Sequence, residues 1–269
     1  QEGWKILFFR SARYKADPSR SDAWNRGAYL AGGLSDCSGC HTPRNLLGAE
    51  AMRHAYEGAM VEGWIAPALT ESNPSPVPWT EEDLFTYLRT GTSPLHGSTG
   101  ATMTQVIRHA LALPVVPDSD VRAIALYFSE MDQANARATG IEATTREALA
   151  ASYLGSGQEY DPDAELYASA CMSCHYNAEP TPLAARPELA LNSSLTLSEP
   201  TNFIQVVLKG VSNTQGAPGL VMPAYGASLT DSEIARLAAY LRRTRTRLPP
   251  WTNLVEKVAT IRRESARPH

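Results

Sequence analysis

The chain has 269 residues, which is enough for one or two domains with sizeable cores. Its formal net charge of -4 gives no reason to expect a nucleic-acid partner. No apolar run reaches the roughly 18 residues of a membrane-spanning helix, and the first residues lack the basic start of a secretory signal, which predicts a mature or trimmed product.

The first half of the chain predicts three helices around one cysteine motif. WNRGAYLAGGLSD is predicted to be helical and leads into CSGCH at 37–41. After a loop rich in proline and glycine, TEEDLFTYLRTG at 80–91 predicts a helix that begins with a Thr80/Asp83 cap and ends at a glycine. In DSDVRAIALYF at 118–128, apolar residues at i, i+3, i+4 and i+7 predict an amphipathic helix.

The second half repeats this order. DAELYASA precedes CMSCH at 171–175, EPTNFIQVVLKG at 199–210 ends at a glycine, and DSEIARLAAYL at 231–241 carries the same apolar stripe as its counterpart. Thr230 and Glu233 form a capping-box signature at the start of that last helix. We find no convincing strand alternation, so the repetition predicts a duplicated, all-α fold.

The predicted organisation has five parts. They are a connector at 1–20, a first helical domain at 21–133, a linker rich in Ala, Thr and Gly at 134–158, a second helical domain at 159–247 and a C-terminal amphipathic helix at 248–269.

The C-terminal segment carries an apolar stripe on a helix that follows two prolines. Arginines precede it, so one alternative is a membrane-surface helix whose basic flank faces anionic lipid. Glu256 and Glu264 dilute the basic face, which favours docking on the chain's own module or on a partner subunit. The stripe consists of Trp251, Leu254, Val255, Val258 and Ile261, and the arginines are Arg242, Arg243, Arg245 and Arg247.

All four cysteines lie in the two CxxCH motifs, and three chemistries use this spacing. A zinc site needs four nitrogen or sulfur ligands, and neither module supplies the fourth. A thioredoxin-type redox pair expects a βαβ context, which the helical pattern lacks. Covalent haem attachment uses every residue of the motif, because two thiols bond the haem and the adjacent histidine ligates its iron. The motifs therefore predict two haem c groups, bonded to Cys37, Cys40, Cys171 and Cys174, with His41 and His175 as axial ligands.

The second axial ligands are expected farther along each module. Met222 lies in a loop just before the last helix and is followed by Pro223, so it is the predicted ligand of the second module, with His269 as a remote alternative. Met103 has the same topological position in the first module, and His109 is its first alternative. Thioether ligation raises the iron potential and closes the open position, which favours electron transfer over catalysis.

Other residues have less specific predicted roles. The candidate contacts to haem propionates, with solvated surface or core packing as the alternative, are Arg44, Trp64, Trp79 and Asn192. The methionines expected to pack in the core are Met52, Met60 and Met131. The histidines expected to be surface or structural residues are His54, His96 and His109.

These motifs resemble the c-type cytochrome subunit of bacterial membrane-associated dehydrogenases, whose chains carry three haem c modules. WNRGAYLAGGLSDCSGCHTPRN resembles the start of that family's second module, and ELALNSS, FIQVVLKG and MPAYGASLTDSEIARLAAYLR resemble its third. RPELALNSS and the PW segment after the last helix are most similar to the cytochromes that partner molybdenum hydroxylases. The resemblance implies two tandem class I cytochrome c-like domains, and a third haem on a preceding module to which 1–20 would connect.

The resemblance also implies a function, partners and a location. It predicts an electron-transfer subunit, not an enzyme on its own, that relays electrons from a periplasmic dehydrogenase to ubiquinone or the respiratory chain. The favoured partner is a molybdenum hydroxylase-type aldehyde dehydrogenase with an iron–sulfur (2Fe–2S) subunit, and a quinoprotein or flavoprotein dehydrogenase is next. The expected location is the periplasm, at the outer face of the cytoplasmic membrane, with peripheral membrane contact.

Two other functions stay open on the sequence alone. A dihaem peroxidase-type enzyme would need one haem with an exchangeable or missing sixth ligand, so that Met103 or Met222 would not bind iron in the active state. A free soluble dihaem shuttle would differ from the relay subunit only in lacking partners.

Overall fold

The computed structural model describes residues 2–9, 13–154, 161–175, 182, 187–211 and 221–265. The first half of the chain follows the predicted order of helices. They are α1 (Glu2–Phe8), α2 (Asp22–Gly32), α3 (Cys37–His41), α4 (Glu81–Thr90), α5 (Ala101–Val106) and α6 (Asp118–Met131), with a 3-10 turn at Met52–His54 and a π-helix at Ile107–Leu111.

Two helices link the modules, and the second module repeats the helical order of the first. The linking helices are α7 (Ala134–Arg137) and α8 (Ile141–Leu154), with a 3-10 turn at Ala138–Gly140 between them. The second module has α9 (Pro162–Ala170), α10 (Met172–His175), a 3-10 turn at Leu189–Leu191, α11 (Ser193–Thr196), α12 (Thr201–Lys209), α13 (Asp231–Arg245) and α14 (Leu254–Ser265). The predicted helical framework is confirmed.

Side-chain caps determine where two of the predicted helices begin. At the start of α4, Asp83 N donates to Thr80 Oγ1 at 3.1 Å. At the start of α13, Glu233 N donates to Thr230 Oγ1 at 3.2 Å, and Thr230 N donates to the Glu233 carboxylate at 2.8 Å. Each cap satisfies amide groups that the first helical turn leaves unpaired. Both predicted caps are confirmed.

Helix α6 forms much of the core of the first module, and α13 forms much of the core of the second. In the first module α2 crosses α6 closely, because Gly27 has no side chain and a Cβ there would overlap the backbone carbonyl of Ala123. The predicted apolar stripes are buried on both helices. They are Val121, Ile124, Ala125 and Phe128 on α6, and Ile234, Leu237, Ala238 and Leu241 on α13.

Two small antiparallel hairpins interrupt the helical framework, and the sequence analysis missed them. Strand β1 (Ala59–Val61) pairs with β2 (Trp64–Ala66), and β3 (Thr92–Ser93) pairs with β4 (Gly97–Ser98). Each strand has two or three residues, which is too short for an alternation of apolar and polar residues to be recognised. Strand β2 lies against α12 and so connects the first module to the second.

The linking segment packs against both modules. Ala148 on α8 shares a small apolar core with Val77 of the first module and Leu191 of the second. Arg245 on α13 donates hydrogen bonds to two backbone carbonyls in the last turn of α8. Residues 155–158 of the predicted linker lie outside the described residues.

The C-terminal helix α14 packs against α12 and α13 of its own module. Trp251, Val258 and Ile261 are buried in that core, whereas Val255 is exposed. Within the described ranges, no helix combines the length and the apolar character needed to cross a bilayer. His269 lies outside the described residues.

The four arginines before α14 make contacts within the chain. Arg242 donates to three backbone carbonyls, Arg245 donates to those of α8, Arg243 pairs with Asp161 at 2.8 Å, and Arg247 pairs with a glutamate on α8 at 3.3 Å. These contacts favour the docked helix over a basic flank that faces lipid.

Candidate haem-binding site

One cavity of about 370 Å³ is lined by both modules. Both cysteine motifs and both predicted methionine ligands contribute to its wall. The eight residues are Cys37, Cys40, His41 and Met103 from the first module, and Cys171, Cys174, His175 and Met222 from the second. The structure thus brings all the predicted haem-binding cysteines, histidines and methionines to one continuous space.

In the first module, α3 is the motif itself, and its helical turn orients the three functional side chains. Residues i, i+3 and i+4 of a helix share one face, so Cys37, Cys40 and His41 point to the same side. His41 is half-buried, and its Nδ1 lies 2.7 Å from the carbonyl oxygen of Pro67. Because a carbonyl can only accept, this contact assigns the proton to Nδ1 and leaves Nε2 as the ligating atom.

The second motif repeats this arrangement. The carbonyl of Cys171 accepts hydrogen bonds from Cys174 N at 3.1 Å and from His175 N at 3.0 Å, which forms the turn. Tyr167 Oη donates to the carbonyl oxygen of His175 at 3.2 Å and holds the end of the motif. Nδ1 of His175 is buried and has no hydrogen bond of normal geometry among the described residues, although the Pro187 backbone is near enough to oppose the effect of burial on the ring.

Both predicted axial histidines are held in the neutral form, which is the form that can bind a metal. Burial lowers the pKa of His41 and of His175. The backbone carbonyls of Pro67 and Pro187 oppose this change, because each stabilises a protonated Nδ1. The imidazoles are therefore neutral near pH 7, which leaves a lone pair on the second ring nitrogen.

Cys37 and Cys171 do not have the lowered pKa that is typical of a redox or zinc-binding thiol. Burial raises the pKa of Cys37 to about 12 and that of Cys171 to about 11. Reactive and metal-binding thiols have lowered pKa values, because positive neighbours or helix N-termini stabilise the thiolate. Among the described residues, no group of three or more His, Cys, Asp and Glu side chains could hold a metal ion.

Backbone contacts hold the Met222 loop in place. Met222 N donates to the Val211 carbonyl at 2.7 Å, and Val211 N donates to the Met222 carbonyl at 2.9 Å. Gly210 comes directly before this bridge and has a φ of +70°. A Cβ at Gly210 would overlap the Met222 carbonyl and lie 2.8 Å from Ala224 N. The glycine that ends α12 therefore also makes room for the ligand loop.

Met103 lies on α5 and packs against the core of the first module. The chain continues directly into the π-helix at Ile107–Leu111, a feature that is frequently found at functional sites. His109, the alternative ligand, lies on that π-helix, is exposed and is not among the described residues of the cavity wall. The geometry therefore favours Met103 over His109.

The cavity wall fits a haem group. Thiols for covalent attachment, imidazoles and thioethers for the iron all face a space that is largely apolar. The apolar side chains of the wall include Leu69, Leu84, Leu88, Ile124 and Phe128 from the first module, and Leu189, Phe203, Val207, Leu237 and Leu241 from the second. This combination of donors and walls is the one that haem c requires.

The predicted propionate contacts divide into two groups. Trp64, Trp79 and Asn192 line the cavity. Arg44 is not among the described residues of the cavity wall, and its guanidinium donates to the carbonyls of Gly39 and Gly48 at 3.0 Å each. Arg44 thus braces the loop behind the first motif, and its contact with a propionate stays a prediction.

Two of the three methionines assigned to the core are on the surface. Met52 and Met60 are each 60% exposed, so the prediction of core packing is wrong for both. They lie in a turn and a hairpin, where no helical period indicates which side is buried. Met131 packs against the core of the first module, as predicted.

The three histidines predicted to be surface or structural residues have such positions. His54 is exposed and lies 2.9 Å from the Glu57 carboxylate, and His109 is also exposed. His96 is buried and stacks on Trp79 with 3.6 Å between ring centroids. None of the three is among the described residues of the cavity wall.

Sequence analysis missed several polar residues of the wall, among them Asp132 and Asn202. Asp132 is buried at the end of α6, where Trp79 N donates to its carboxylate at 2.8 Å and Arg137 pairs with it at 3.0 Å. Burial raises the pKa of Asp132, and these two partners oppose the change. No local pattern distinguishes an acid of this kind from a surface acid at the end of a helix.

Comparison with known proteins agrees with this geometry. The family model described as cytochrome c oxidase, cbb3-type, subunit III matches residues 158–241. A nicotinate dehydrogenase subunit of Pseudomonas putida is 38% identical over 97% of this chain and 21% of its own length. The fructose dehydrogenase cytochrome subunit of Gluconobacter japonicus is 32% identical over 88% of this chain and 52% of its own length.

A further relative is the gluconate 2-dehydrogenase cytochrome c subunit of Pantoea cypripedii, which is 30% identical over 89% of this chain and 56% of its own length. The chain thus spans about half of the length of these two cytochrome subunits and about a fifth of the nicotinate dehydrogenase subunit. The helical architecture and the CxxCH motifs agree with these relatives, and over most of its length the chain is similar to cytochrome c subunits of dehydrogenase complexes.

Proposed function

We propose that this chain is an electron-transfer subunit that binds two haem c groups and relays electrons from a dehydrogenase catalytic subunit. The observation that carries the proposal is the single cavity onto which both CxxCH motifs and both methionines open. Because both haem sites would open onto one cavity, an electron could pass from one haem to the other without a diffusing carrier. Bound haem would supply a one-electron change in the oxidation state of its iron.

Eight residues hold the two groups in this proposal. The four thiols would attach the haem groups covalently, and one histidine and one methionine would ligate each iron. The first set is Cys37, Cys40, His41 and Met103, and the second is Cys171, Cys174, His175 and Met222.

The surrounding residues orient these ligands and exclude water. The Pro67 carbonyl holds the His41 ring through Nδ1 and so directs Nε2 into the cavity. The apolar wall would exclude water from the bound haem and would favour the less charged, reduced state of its iron. Methionine as the second iron ligand would leave no position for peroxide, which supports a relay over a peroxidase-type enzyme.

The relatives support a dehydrogenase partner for this chain. Identity to the nicotinate dehydrogenase subunit exceeds that to the fructose and gluconate dehydrogenase cytochromes. This higher identity favours a catalytic subunit of the molybdenum hydroxylase type that oxidises an aldehyde or an N-heterocycle, together with a 2Fe–2S subunit. A quinoprotein or flavoprotein dehydrogenase is the next candidate. The electrons would pass to ubiquinone or the respiratory chain at the periplasmic face of the cytoplasmic membrane.

A native gel of the intact complex, stained for haem, tests the partner. Nicotinate, aldehydes and alcohols are supplied in turn, and only one substrate class should transfer electrons to the haem in the stained band. The proposal expects this class to be nicotinate or an aldehyde. Reduction by an alcohol alone would assign a quinoprotein partner instead. A haem-stained chain that migrates without any catalytic subunit under mild detergent would indicate a free shuttle.

Absorption spectroscopy of the purified chain tests the ligands. The band characteristic of methionine bound to ferric haem should be present at two equivalents per chain. One equivalent or none would favour the peroxidase-type enzyme. Free thiols that react with an alkylating reagent under denaturing conditions would contradict haem attachment. The double variant Cys171→Ser/Cys174→Ser should retain one haem and half of the band, which serves as the internal calibration.

A further inference from the structure

Asn202 joins the two modules at the wall of the cavity. It lies at the start of α12 in the second module, and its side chain reaches strand β2 of the first. Its Oδ1 accepts a hydrogen bond from the N–H of Ile65 at 2.8 Å, and its Nδ2 donates to the carbonyl oxygen of Ile65 at 2.8 Å. One carboxamide therefore satisfies both backbone groups of a single residue in the other module.

The hairpin leaves those two backbone groups available for such a contact. Val61 pairs with Trp64 next to the two-residue turn, and Met60 pairs with Ile65. Successive pairs of an antiparallel hairpin alternate between exchanging hydrogen bonds and turning their peptide groups outward. Because the turn has two residues, the Val61–Trp64 pair is the one that exchanges backbone hydrogen bonds. The N–H and C=O of Ile65, in the next pair, therefore point to the outer edge of the hairpin, where Asn202 lies.

Strand β2 leads directly to the residue that orients an axial histidine. Ile65 comes two positions before Pro67, whose carbonyl oxygen lies 2.7 Å from Nδ1 of His41. Trp64, on the other side of Ile65, lines the cavity, as does Asn202 itself. A shift of Ile65 is therefore transmitted through one residue to the hydrogen bond that sets the orientation and basicity of the imidazole.

We propose that Asn202 is a positioning residue through which the second module sets the axial histidine of the first haem site. This inference rests on the proposed function, because it concerns the iron that His41 would ligate. The hydrogen bond from Nδ1 to Pro67 makes the imidazole a stronger donor, which stabilises ferric iron. Loss of the Asn202 contact releases the edge of β2, weakens that hydrogen bond and raises the potential of the first haem.

A redox titration followed by electron paramagnetic resonance tests the inference on the full, haem-loaded chain. Asn202→Leu has nearly the same shape without the hydrogen bonds, and Asn202→Ala removes the side chain. In both variants the midpoint potential of the His41 haem is expected to rise and its low-spin signal to shift, while the His175 haem keeps its wild-type values. Met222→His changes the ligand of the second haem only, so the low-spin signal that it alters belongs to the His175 haem and the other signal to the His41 haem.

Gln205→Ala is the matched control. Gln205 lies one turn later on α12 and also reaches the first module, where its Nε2 donates to the carbonyl of Gly63 at 3.2 Å. It contacts the turn of the hairpin and not the strand that leads to Pro67, so the variant should leave both potentials unchanged. An equal shift in Gln205→Ala, or no shift in either Asn202 variant, would overturn the inference. Absence of covalent haem from the wild-type chain would instead overturn the proposed function.

Discussion

The backbone of Gly210 lies directly against the carbonyl group of Met222, so that a Cβ at Gly210 would overlap it. The φ of Gly210 is +70°, and Val211 next to it exchanges two hydrogen bonds with Met222. We expect Gly210→Ala to displace the Met222 segment, because the added methyl has no room there. The measurable result is loss of the methionine–ferric haem band of the second module, while a denaturing gel still shows covalently attached haem.

Gly48→Ala separates this effect from backbone strain. Gly48 has a φ of +80°, but an added Cβ would have no heavy atom within 4 Å. This variant should cost about 1 kcal/mol or slightly more through backbone strain alone and keep both methionine bands. If Gly210→Ala also kept both bands, the Met222 loop would not depend on this close approach.

Replacement of an axial methionine should change the potential of one haem only. Met222→His exchanges a thioether for an imidazole, which is a stronger donor and stabilises ferric iron. We expect the potential of the second haem to fall by roughly a tenth of a volt or more, within the ~0.8 V range that axial ligands span. Potentiometric titration measures this change, and the first haem should keep its wild-type value.

Met60→Leu is the control for the methionine series, because Met60 is 60% exposed. It should leave both potentials and both methionine bands unchanged. A wild-type spectrum for Met222→His would show that another residue ligates the second iron. Met103→His should lower the potential of the first haem and leave that of the second unchanged. A Met103→His variant with wild-type potentials would show that another residue ligates the first iron.

The features that sequence could predict are those determined within a few residues. The two CxxCH motifs place their cysteines and histidine on one helical face, and the i, i+3, i+4 stripes of α6 and α13 are buried as predicted. The Thr230–Glu233 capping box is equally local. Each of these features follows from the 3.6-residue period or from first-turn hydrogen bonding, so the chain segment alone contains the information.

The features that sequence could not predict are contacts between distant segments. Asn202 and Ile65 are 137 positions apart, and the carboxamide has no local pattern that indicates its partner. Met60 lies in a three-residue strand, where burial depends on the neighbouring module and not on a period. Asp132 ends a regular amphipathic helix, and only its distant partner Trp79 and the surrounding wall make it a buried acid.

Asp132→Asn should raise the potential of the first haem. Asp132 is buried and lines the cavity, so its negative charge stabilises ferric iron through a medium of low polarity. Asparagine can still accept the hydrogen bond from Trp79 N, which preserves the local fold. We expect a shift on the order of 1 kcal/mol in redox free energy, measured by potentiometric titration.

Glu130→Gln is the control for that charge. Glu130 lies on the same helix and pairs with Arg20 at 2.9 Å, but its side chain is partly exposed. Solvent and salt screen such a charge, so its removal should leave both potentials nearly unchanged. Equal shifts in the two variants would mean that net charge, and not the buried position of Asp132, sets the potential.

Arg242 should be the most important arginine for the stability of the second module. It is 5% exposed, and it donates to the carbonyls of Pro249 at 2.9 Å, Leu197 at 3.1 Å and Leu195. Its guanidinium also lies 4.5 Å from the ring centroid of Trp251. Arg242→Met removes the donor of the Pro249 and Leu195 carbonyls, whereas Leu197 still accepts from Trp251 Nε1, so we expect the free energy of unfolding in urea to fall by about 3 kcal/mol.

Arg243→Met provides the comparison on the next residue. Arg243 is exposed and pairs with Asp161 at 2.8 Å, a contact that should contribute about 0–1 kcal/mol. Similar losses in the two variants would contradict the structural role given to Arg242.

His96 should make the stability of the haem-loaded chain depend on pH. Its ring is stacked on Trp79, its Nδ1 lies 3.0 Å from Ser75 Oγ, and burial lowers the pKa of His96 to about 3. An unfolded histidine has a pKa of about 6.5. Between these two values the unfolded state binds a proton that the folded state does not, so the free energy of unfolding falls as the pH falls through this window.

Urea unfolding at about pH 6.5 and about pH 5 should therefore show a loss of stability that is larger in the wild type than in His96→Phe by on the order of 2 kcal/mol. Phenylalanine keeps an aromatic ring against Trp79 and removes the titrating group. His109→Phe replaces an exposed histidine and retains His96, so it should keep the wild-type slope. An identical slope in His96→Phe and the wild type would mean that the acid sensitivity arises from other groups.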